Sequence, residues 1–230
     1  LASNAFLAQR ISSINSLSAL CEKTGANIDE LSKAIGMDHR IGSKFLKASV
    51  GFGGSCFQKD ILNLVYLSRH YGLYEIAEYW HQVVKINDYQ KTRFAQKIIN
   101  YFGGDLKGKK ILILGWAFKA NSNDSRESSA IYVAEKLYDV GAKLEIYDPK
   151  VSSKTILHDI ENYWTSNPKK FQLDEKIKIL STIDFGKISC DGIAVFTEWS
   201  IFKNLDDLNL EAKIFDGRNI LTKPFYSIGK

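Results

Sequence analysis

The chain has 230 residues, of which 31 are Lys or Arg and 26 Asp or Glu, a formal net charge of +5. Apolar residues make up 45%, aromatics 12% and charged residues 25%, proportions that exclude a disordered, collagen-like or membrane-spanning chain. The mild positive excess suits anionic small molecules, and without a long Lys/Arg run it leaves no nucleic-acid footprint.

From Asn4 to Thr24 the residues Phe6, Leu7, Ile11, Ile14, Leu17, Leu20 and Cys21 recur at three- and four-residue steps, predicting an amphipathic helix stopped by Gly25. Asn27 with Glu30 resembles a capping box and opens a second helix ending near Gly36. After the polar turn Asp38-His39-Arg40 the pattern breaks into a glycine-rich stretch and resumes as a helix from Phe57. Leu73 to Phe102 lacks Gly and Pro and keeps helical phase, so it reads as one long helix or two nearly collinear ones.

Periodicity changes at Gly103-Gly104, dividing the chain into a helical domain, 1–104, and an α/β domain, 105–230. Ile111–Leu114, then a helix from Ala130 to Val140, then Leu144–Pro149 make a βαβ unit. Ile177–Ile183, Ile193–Thr197 and Lys213–Phe215 read as further strands, while 150–176 is polar and carries no assignable element. The fold class is therefore α/β: an all-helical first half with a long central helix, then a Rossmann-like parallel domain. In such sheets ligands bind beyond the carboxyl ends of the strands. Here those ends carry Phe118 with Lys119, Asp148, Thr197 with Glu198, and Asp216-Gly217-Arg218.

The candidate chemistry lies in Gly51–Asp60. Glycines let backbone approach a ligand closely. Cys56 falls at the start of a helix, where unpaired N–H groups favour a thiolate, the nucleophilic form. Lys59 and Asp60 return to its face at helical spacing, an arrangement suited to covalent catalysis through a thiohemiacetal or thioester. The competing reading makes Cys56 a small buried residue and the glycines a turn. Gly115 follows a strand where a dinucleotide fingerprint would sit, but its other glycines are missing and Trp116 and Phe118 would obstruct a pyrophosphate, so this βαβ unit is a poor NAD site. Asp148 reads better as a loop cap before Pro149 than as a ribose ligand. Lys119 and Arg218, sharing the strand ends, are as much phosphate clamps as ordinary surface cations. His39, His70, His81 and His158 lack metal-ligand spacing, and no metal is expected. Cys21, Cys56 and Cys190 form no CxxC pair. With no apolar run of about 18 residues, they point to a reducing, cytoplasmic setting with no membrane partner.

Phe45-Leu46-Lys47-Ala48-Ser49-Val50-Gly51-Phe52-Gly53-Gly54-Ser55-Cys56-Phe57-Gln58-Lys59-Asp60 closely resembles the active-site segment of UDP-glucose 6-dehydrogenases, within the UDP-glucose/GDP-mannose dehydrogenase family. Asn4–Asn15, Asp124–Ser129 and Asp216–Arg218 resemble it too, and Gln58 matches the animal type, where bacterial relatives usually have Pro. The resemblance implies oxidation of UDP-glucose to UDP-glucuronate by two NAD⁺, with a homodimer built through the central helical domain. It implies that Cys56 is the nucleophile, that Asp60 assists water and proton transfer, that Lys59 is the cation beside the cysteine, and that Asn4 holds the reacting oxygen. Phe45, Leu46, Lys47, Ala48, Ser49, Phe52 and Gly53 would wrap the nucleotide sugar. Phe118, Lys119 and Arg218 would contact it from the second domain, Arg40 would reach a neighbouring subunit's substrate, and Arg126 would touch the cofactor. The family's catalytic lysine and N-terminal NAD-binding domain have no counterpart in these 230 residues; with Met37 as the only methionine, the chain reads as an inactive fragment. Alternatives are a non-catalytic nucleotide-sugar binder or dimer scaffold, and a dehydrogenase of GDP-mannose or UDP-N-acetylmannosamine.

Overall fold

The computed structural model describes residues 1–165 and 176–230. They form two compact units, Leu1–Lys91 with Ile228–Lys230, and Thr92–Ser227.

The first unit holds α1 (Ala2–Thr24), α2 (Ile28–Gly36), α3 (Phe57–His70) and the part of α4 (Tyr74–Tyr101) up to Lys91. Gly25 ends α1 in the left-handed conformation, φ 74°, and donates its N–H to Cys21 O. Asn27 caps α2 by accepting from Asp29 N at 2.9 Å. Ala5, Ala8, Phe52, Ile61, Val65, Ala77, Val83 and Val84 share one buried cluster, so the glycine-rich segment joins three helices in a common core through Phe52. The last residues of the chain also belong here. Ile28 N donates to Gly229 O at 2.9 Å, and Gly229 N donates to Glu22 Oε1 at 3.0 Å.

The second unit is built on β1 (Lys110–Leu114), β2 (Lys143–Tyr147), β3 (Ile177–Ile179), β4 (Gly192–Val195), β5 (Lys213–Asp216) and β6 (Tyr226–Ser227), all paired in parallel. Their order is β3-β2-β1-β4-β5-β6. β1 is central, with Ile113 opposite Ile146 on one side and Ala194 on the other. Ile111, Ile113 and Leu114 are fully buried, each contributing about 1.5–3 kcal/mol of burial. α5 (Ser129–Asp139) follows β1, capped by Ser128. The strand order reverses between β1 and β4, and the loops leaving those strands flank the crevice where open α/β sheets bind ligands.

Three elements depart from the sequence reading: α6, β6 and β3. α6 (Ser153–Tyr163) lies in the stretch that resisted assignment; only Ile156 and Ile160 of its apolar residues are buried, with the carboxylate of Asp159 between them. β6 is too short to show a pattern. Residues 166–175 of the unassigned stretch lie outside the described residues. β3 ends at Ile179, short of the expected Ile183.

Gly115 leaves β1 at φ 93°, and an added Cβ would lie 2.4 Å from Thr197 Oγ1 and 2.8 Å from Thr197 N. Gly115→Ala should therefore lower unfolding stability by roughly 2 kcal/mol or more, from strain and overpacking together. Urea denaturation measures it; an unchanged midpoint would contradict the close approach.

Candidate active site

Cys56 is exposed, which removes the reading of it as buried core. It is the residue before α3, and its backbone O accepts from Asp60 N at 2.9 Å. Gly51 at φ 122° and Gly54 at φ 86° occupy conformations that side chains avoid, and they bend the chain into this helix start. Asp60, one turn on, is 8% exposed and gathers its neighbours. Asn4 Nδ2 donates to its Oδ2 at 2.7 Å and Lys59 Nζ pairs with its Oδ1 at 3.0 Å. The Asn4 hydrogen bond and then Lys59 hold the Asp60 carboxyl below the usual carboxylate range against its burial. Asp60 in turn raises the Lys59 ammonium, and the Cys56 sulfur adds to that. The structure thus brings together Asn4, Lys59 and Asp60 on the turn that Cys56 opens. Ser55 Oγ lies 3.8 Å from Cys56 Sγ.

The segment leading to Cys56 has no strand or helix. Phe45 takes a left-handed φ of 61° and stays exposed, a strained placement for an aromatic residue. Arg10 holds the turn before it, donating to Ile41 O, Gly42 O and Lys44 O at 2.7, 2.7 and 3.0 Å. Leu46, Ala48, Ser49 and Phe52 are buried, Lys47 is exposed and Gly53 half-buried. Leu46 O accepts from Ser32 Oγ at 2.6 Å.

Asn15, Asn87 and Gln90, all fully or almost fully buried, were not singled out by sequence, yet their amides bond this backbone. Asn15 Oδ1 accepts from Ser49 N at 2.9 Å and Gln90 Nε2 donates to Ser49 O at 2.7 Å. Asn87 closes both polar groups of Phe52, accepting from its N–H at 2.8 Å and donating to its O at 3.0 Å. The signal was available: Val83, Asn87, Gln90 and Phe94 follow one another at steps of four, three and four, putting two amides on the apolar stripe of α4.

In the second unit the loops leaving β1, β4 and β5 are tied by carboxylates. Glu198 accepts from Arg218 Nε at 2.6 Å, from a second guanidinium nitrogen of Arg218, and more weakly from Ala120 N at 3.4 Å. Burial is the largest influence and pushes the Glu198 carboxyl up, but the charge of Arg218 and the hydrogen bonds from Arg218 and backbone N–H groups together hold it below its ordinary value. One carboxylate therefore links Arg218 to the residue after Lys119. Lys119 Nζ sits 5.4 Å over the Phe118 ring.

Asp148 serves the backbone. Its Oδ2 accepts from Trp116 N, Ala117 N and Trp199 Nε1 at 2.7, 2.9 and 3.2 Å, and its Oδ1 from Lys150 N and Val151 N at 2.8 and 2.9 Å. Trp116, expected to block the turn, is buried and donates its indole N–H to Asp159 at 2.9 Å. What denies the β1–α5–β2 turn to a pyrophosphate is Asp148, which takes its N–H groups. The residues present at this turn do not fit a dinucleotide.

Arg40 and Arg126 are exposed and lie outside these groupings. Each forks onto the aspartate two residues before it, with closest contacts of 2.6 Å to Asp38 and 2.7 Å to Asp124. Among the described residues no cluster of three or more His, Cys, Asp or Glu could hold a metal, no helix is long and apolar enough to cross a membrane, and the three cysteines are free. A cavity of about 770 Å³ lies at the other end of the sheet, where Lys107, Lys143 and Lys176 mark the amino ends of β1, β2 and β3, and includes none of the candidate residues.

A six-stranded parallel sheet whose switch-point loops carry cations is the architecture of nucleotide-binding α/β proteins, and the helical unit carries an exposed cysteine at a glycine-bent helix start. Residues 1–89 match the central domain, and residues 112–223 the UDP binding domain, of the UDP-glucose/GDP-mannose dehydrogenase family, and the chain belongs to that family. It is 53% identical to the UDP-glucose 6-dehydrogenase of Gallus gallus over 96% of its own length and 46% of that protein's. With the Drosophila melanogaster UDP-glucose 6-dehydrogenase it is 50% identical over 96% and 48%. The chain thus spans about half the length of these curated relatives. A UDP-glucose dehydrogenase structure from Pyrobaculum islandicum superposes with a TM-score of 0.75 at 28% identity, covering 98% of this chain and 50% of that one.

Asn4→Ala removes the largest influence that lowers the Asp60 carboxyl. Carboxyl-carbon NMR titration should show the Asp60 midpoint rise, and no rise would refute the Asn4 hydrogen bond. Because the folded value is depressed, the stability it carries is present above the unfolded carboxyl value of about 3.9 and is lost as pH falls through the folded one. The variant should accordingly lose less stability on acidification than the parent.

Proposed function

We propose that this chain is the central and nucleotide-binding part of an NAD-dependent UDP-glucose 6-dehydrogenase that makes UDP-glucuronate. The observation that carries the reading is the exposed Cys56 at the start of α3, with Asp60 held ionised one turn away by Asn4 and Lys59. A thiolate there adds to the aldehyde carbon of the half-oxidised sugar, forming an S–C bond; oxidation of that thiohemiacetal leaves a thioester. Water attacks the thioester carbon, the C–S bond breaks, and the carboxylate product departs while the sulfur recovers its electron pair. Asp60 holds the attacking water and takes its proton, and Asn4 steadies the reacting oxygen. NAD⁺ supplies the two-electron acceptor for each oxidation and is held mainly by an N-terminal domain beyond these 230 residues, a reading supported by the β1–α5–β2 turn, whose Trp116 and Ala117 N–H groups already go to Asp148. These 230 residues alone are therefore expected to form no NADH.

Phe45 to Ser49, with Phe52 and Gly53, belong to the segment that wraps the nucleotide sugar; Phe118, Lys119 and Arg218 are substrate contacts of the second unit. Arg218 suits a phosphate because its guanidinium is already oriented by Glu198. Arg40 serves a neighbouring subunit and Arg126 the cofactor. The protein acts as a homodimer through its helical unit, a reading supported by the exposed Phe6, Tyr74, Ile76 and Tyr79. Free cysteines support a cytoplasmic setting.

In the full-length protein, UDP-glucose should drive NADH formation, and Cys56→Ser should lose at least a thousandfold in kcat. Turnover near that of the parent would remove the covalent role. A scaffold that only binds nucleotide sugars would instead leave Cys56 alkylation indifferent to UDP-glucose. A panel with GDP-mannose and UDP-N-acetylmannosamine decides the sugar. Arg218→Ala should weaken UDP binding about 10–100-fold by calorimetry, the size of a lost charged hydrogen-bond pair.

A further inference from the structure

Ser49–Ser55 must deliver Cys56 to a defined place, yet no strand pairs with it and Gly51, Gly53 and Gly54 give its backbone freedom. Its fixed points come from side chains. At Ser49 a closed circuit forms: Ser49 N donates to Asn15 Oδ1, Ser49 O accepts from Gln90 Nε2, Gln90 Nε2 reaches Ser18 Oγ at 3.4 Å, and Ser18 Oγ returns to Asn15 O at 2.6 Å. At Phe52 a single amide, Asn87, satisfies both backbone groups. Asn87 is fully buried, and Phe52 is 6% exposed. Phe52 is the last clamped residue before Cys56, and its ring packs edge-to-face on Phe57, 5.7 Å between centroids, just past the cysteine. The backbone of Phe52 and the first turn of α3 thus bracket the sulfur.

We infer that Asn87 is a positioning residue for Cys56: its two-way hydrogen bond to Phe52 presets the bend that aims the sulfur at the sugar carbon. This rests on the reading of Cys56 as nucleophile. An amide is required because Phe52 presents a donor and an acceptor side by side; only a group offering both leaves neither buried and unpaired. Preset geometry acts on the chemical step, where a small misplacement costs about a hundredfold in rate.

The test uses the full-length protein. Asn87→Ala should lower kcat at least tenfold while the dissociation constant for UDP stays within twofold. Ile28→Ala, a fully buried position of the same unit, serves as a destabilised control; at a comparable loss of melting temperature it should keep kcat within twofold. Asn87→Asp gives a second readout should the alanine variant not fold. Protonated, the introduced carboxyl offers a donor and an acceptor as the amide does; ionised, it repels Phe52 O. The kcat of Asn87→Asp relative to the parent should therefore climb as pH falls. A kcat loss no larger than that of Ile28→Ala, or an Asn87→Asp to parent ratio flat in pH, would overturn the assignment. Cys56→Ser with full turnover would instead overturn the reading beneath it.

Discussion

A segment without a ladder has to satisfy its backbone through side chains, and here two buried amides on α4 and one on α1 do so. The path of the segment that leads to Cys56 rests on that exchange. Burying an amide without partners costs about 1–3 kcal/mol; Phe52 satisfies both ends of Asn87, while Ser49 pairs the Gln90 nitrogen and the Asn15 oxygen and leaves Asn15 Nδ2 buried without a partner among the described residues. The dependence is mutual. The amides need the loop to be folded in, and the loop needs the amides to hold a shape that its glycines would otherwise leave undetermined. The result is an exposed sulfur carried by an almost wholly buried chain with no rigid strand beneath it.

The second unit meets the same demand with carboxylates. Loops leaving parallel strands expose N–H groups in series, and Asp148 and Asp216 each take several of them; Asp216 accepts from Arg218 N at 2.9 Å, Ile220 N at 2.7 Å and Leu221 N at 2.8 Å. A recurring device emerges. Asp38, Asp124 and Asp216 each accept from the backbone N–H of the arginine two residues later. In the first two cases the guanidinium folds back on the same aspartate, while Arg218 is handed to Glu198. The aspartate fixes where the arginine leaves the backbone, and the choice of second partner fixes where its charge ends up.

The long helices, their caps and the central strands were legible because their apolar residues repeat at the periods that burial demands. α6 was not, since Ile156 and Ile160 are a thin stripe among polar neighbours and one buried partner is the carboxylate of Asp159. The cysteine and its companions stood out by spacing, whereas Asn15, Asn87 and Gln90 did not, because an amide in a helix reads as solvent-facing unless its phase is checked against its apolar neighbours. Trp116 misled for a related reason: bulk at a turn suggests obstruction, but side-chain direction decides whether it obstructs, and this indole points inward to Asp159. Glu198 reads in the sequence only as a strand-end residue, and its bond to Arg218 joins positions twenty residues apart that no local pattern connects.

Asp148 has a consequence for what this turn can bind. The first turn of a doubly wound sheet offers backbone amides that can cradle a diphosphate, and here the protein supplies its own anion to those of Trp116 and Ala117. Restoring small residues after Gly115 would not reopen the cradle, because the resident carboxylate would still outcompete any visiting phosphate by being tethered there. Opening it would have to begin at the end of the second strand, with the loss of one acid, and the indole of Trp199 and the bend around Lys150 would lose a partner with it.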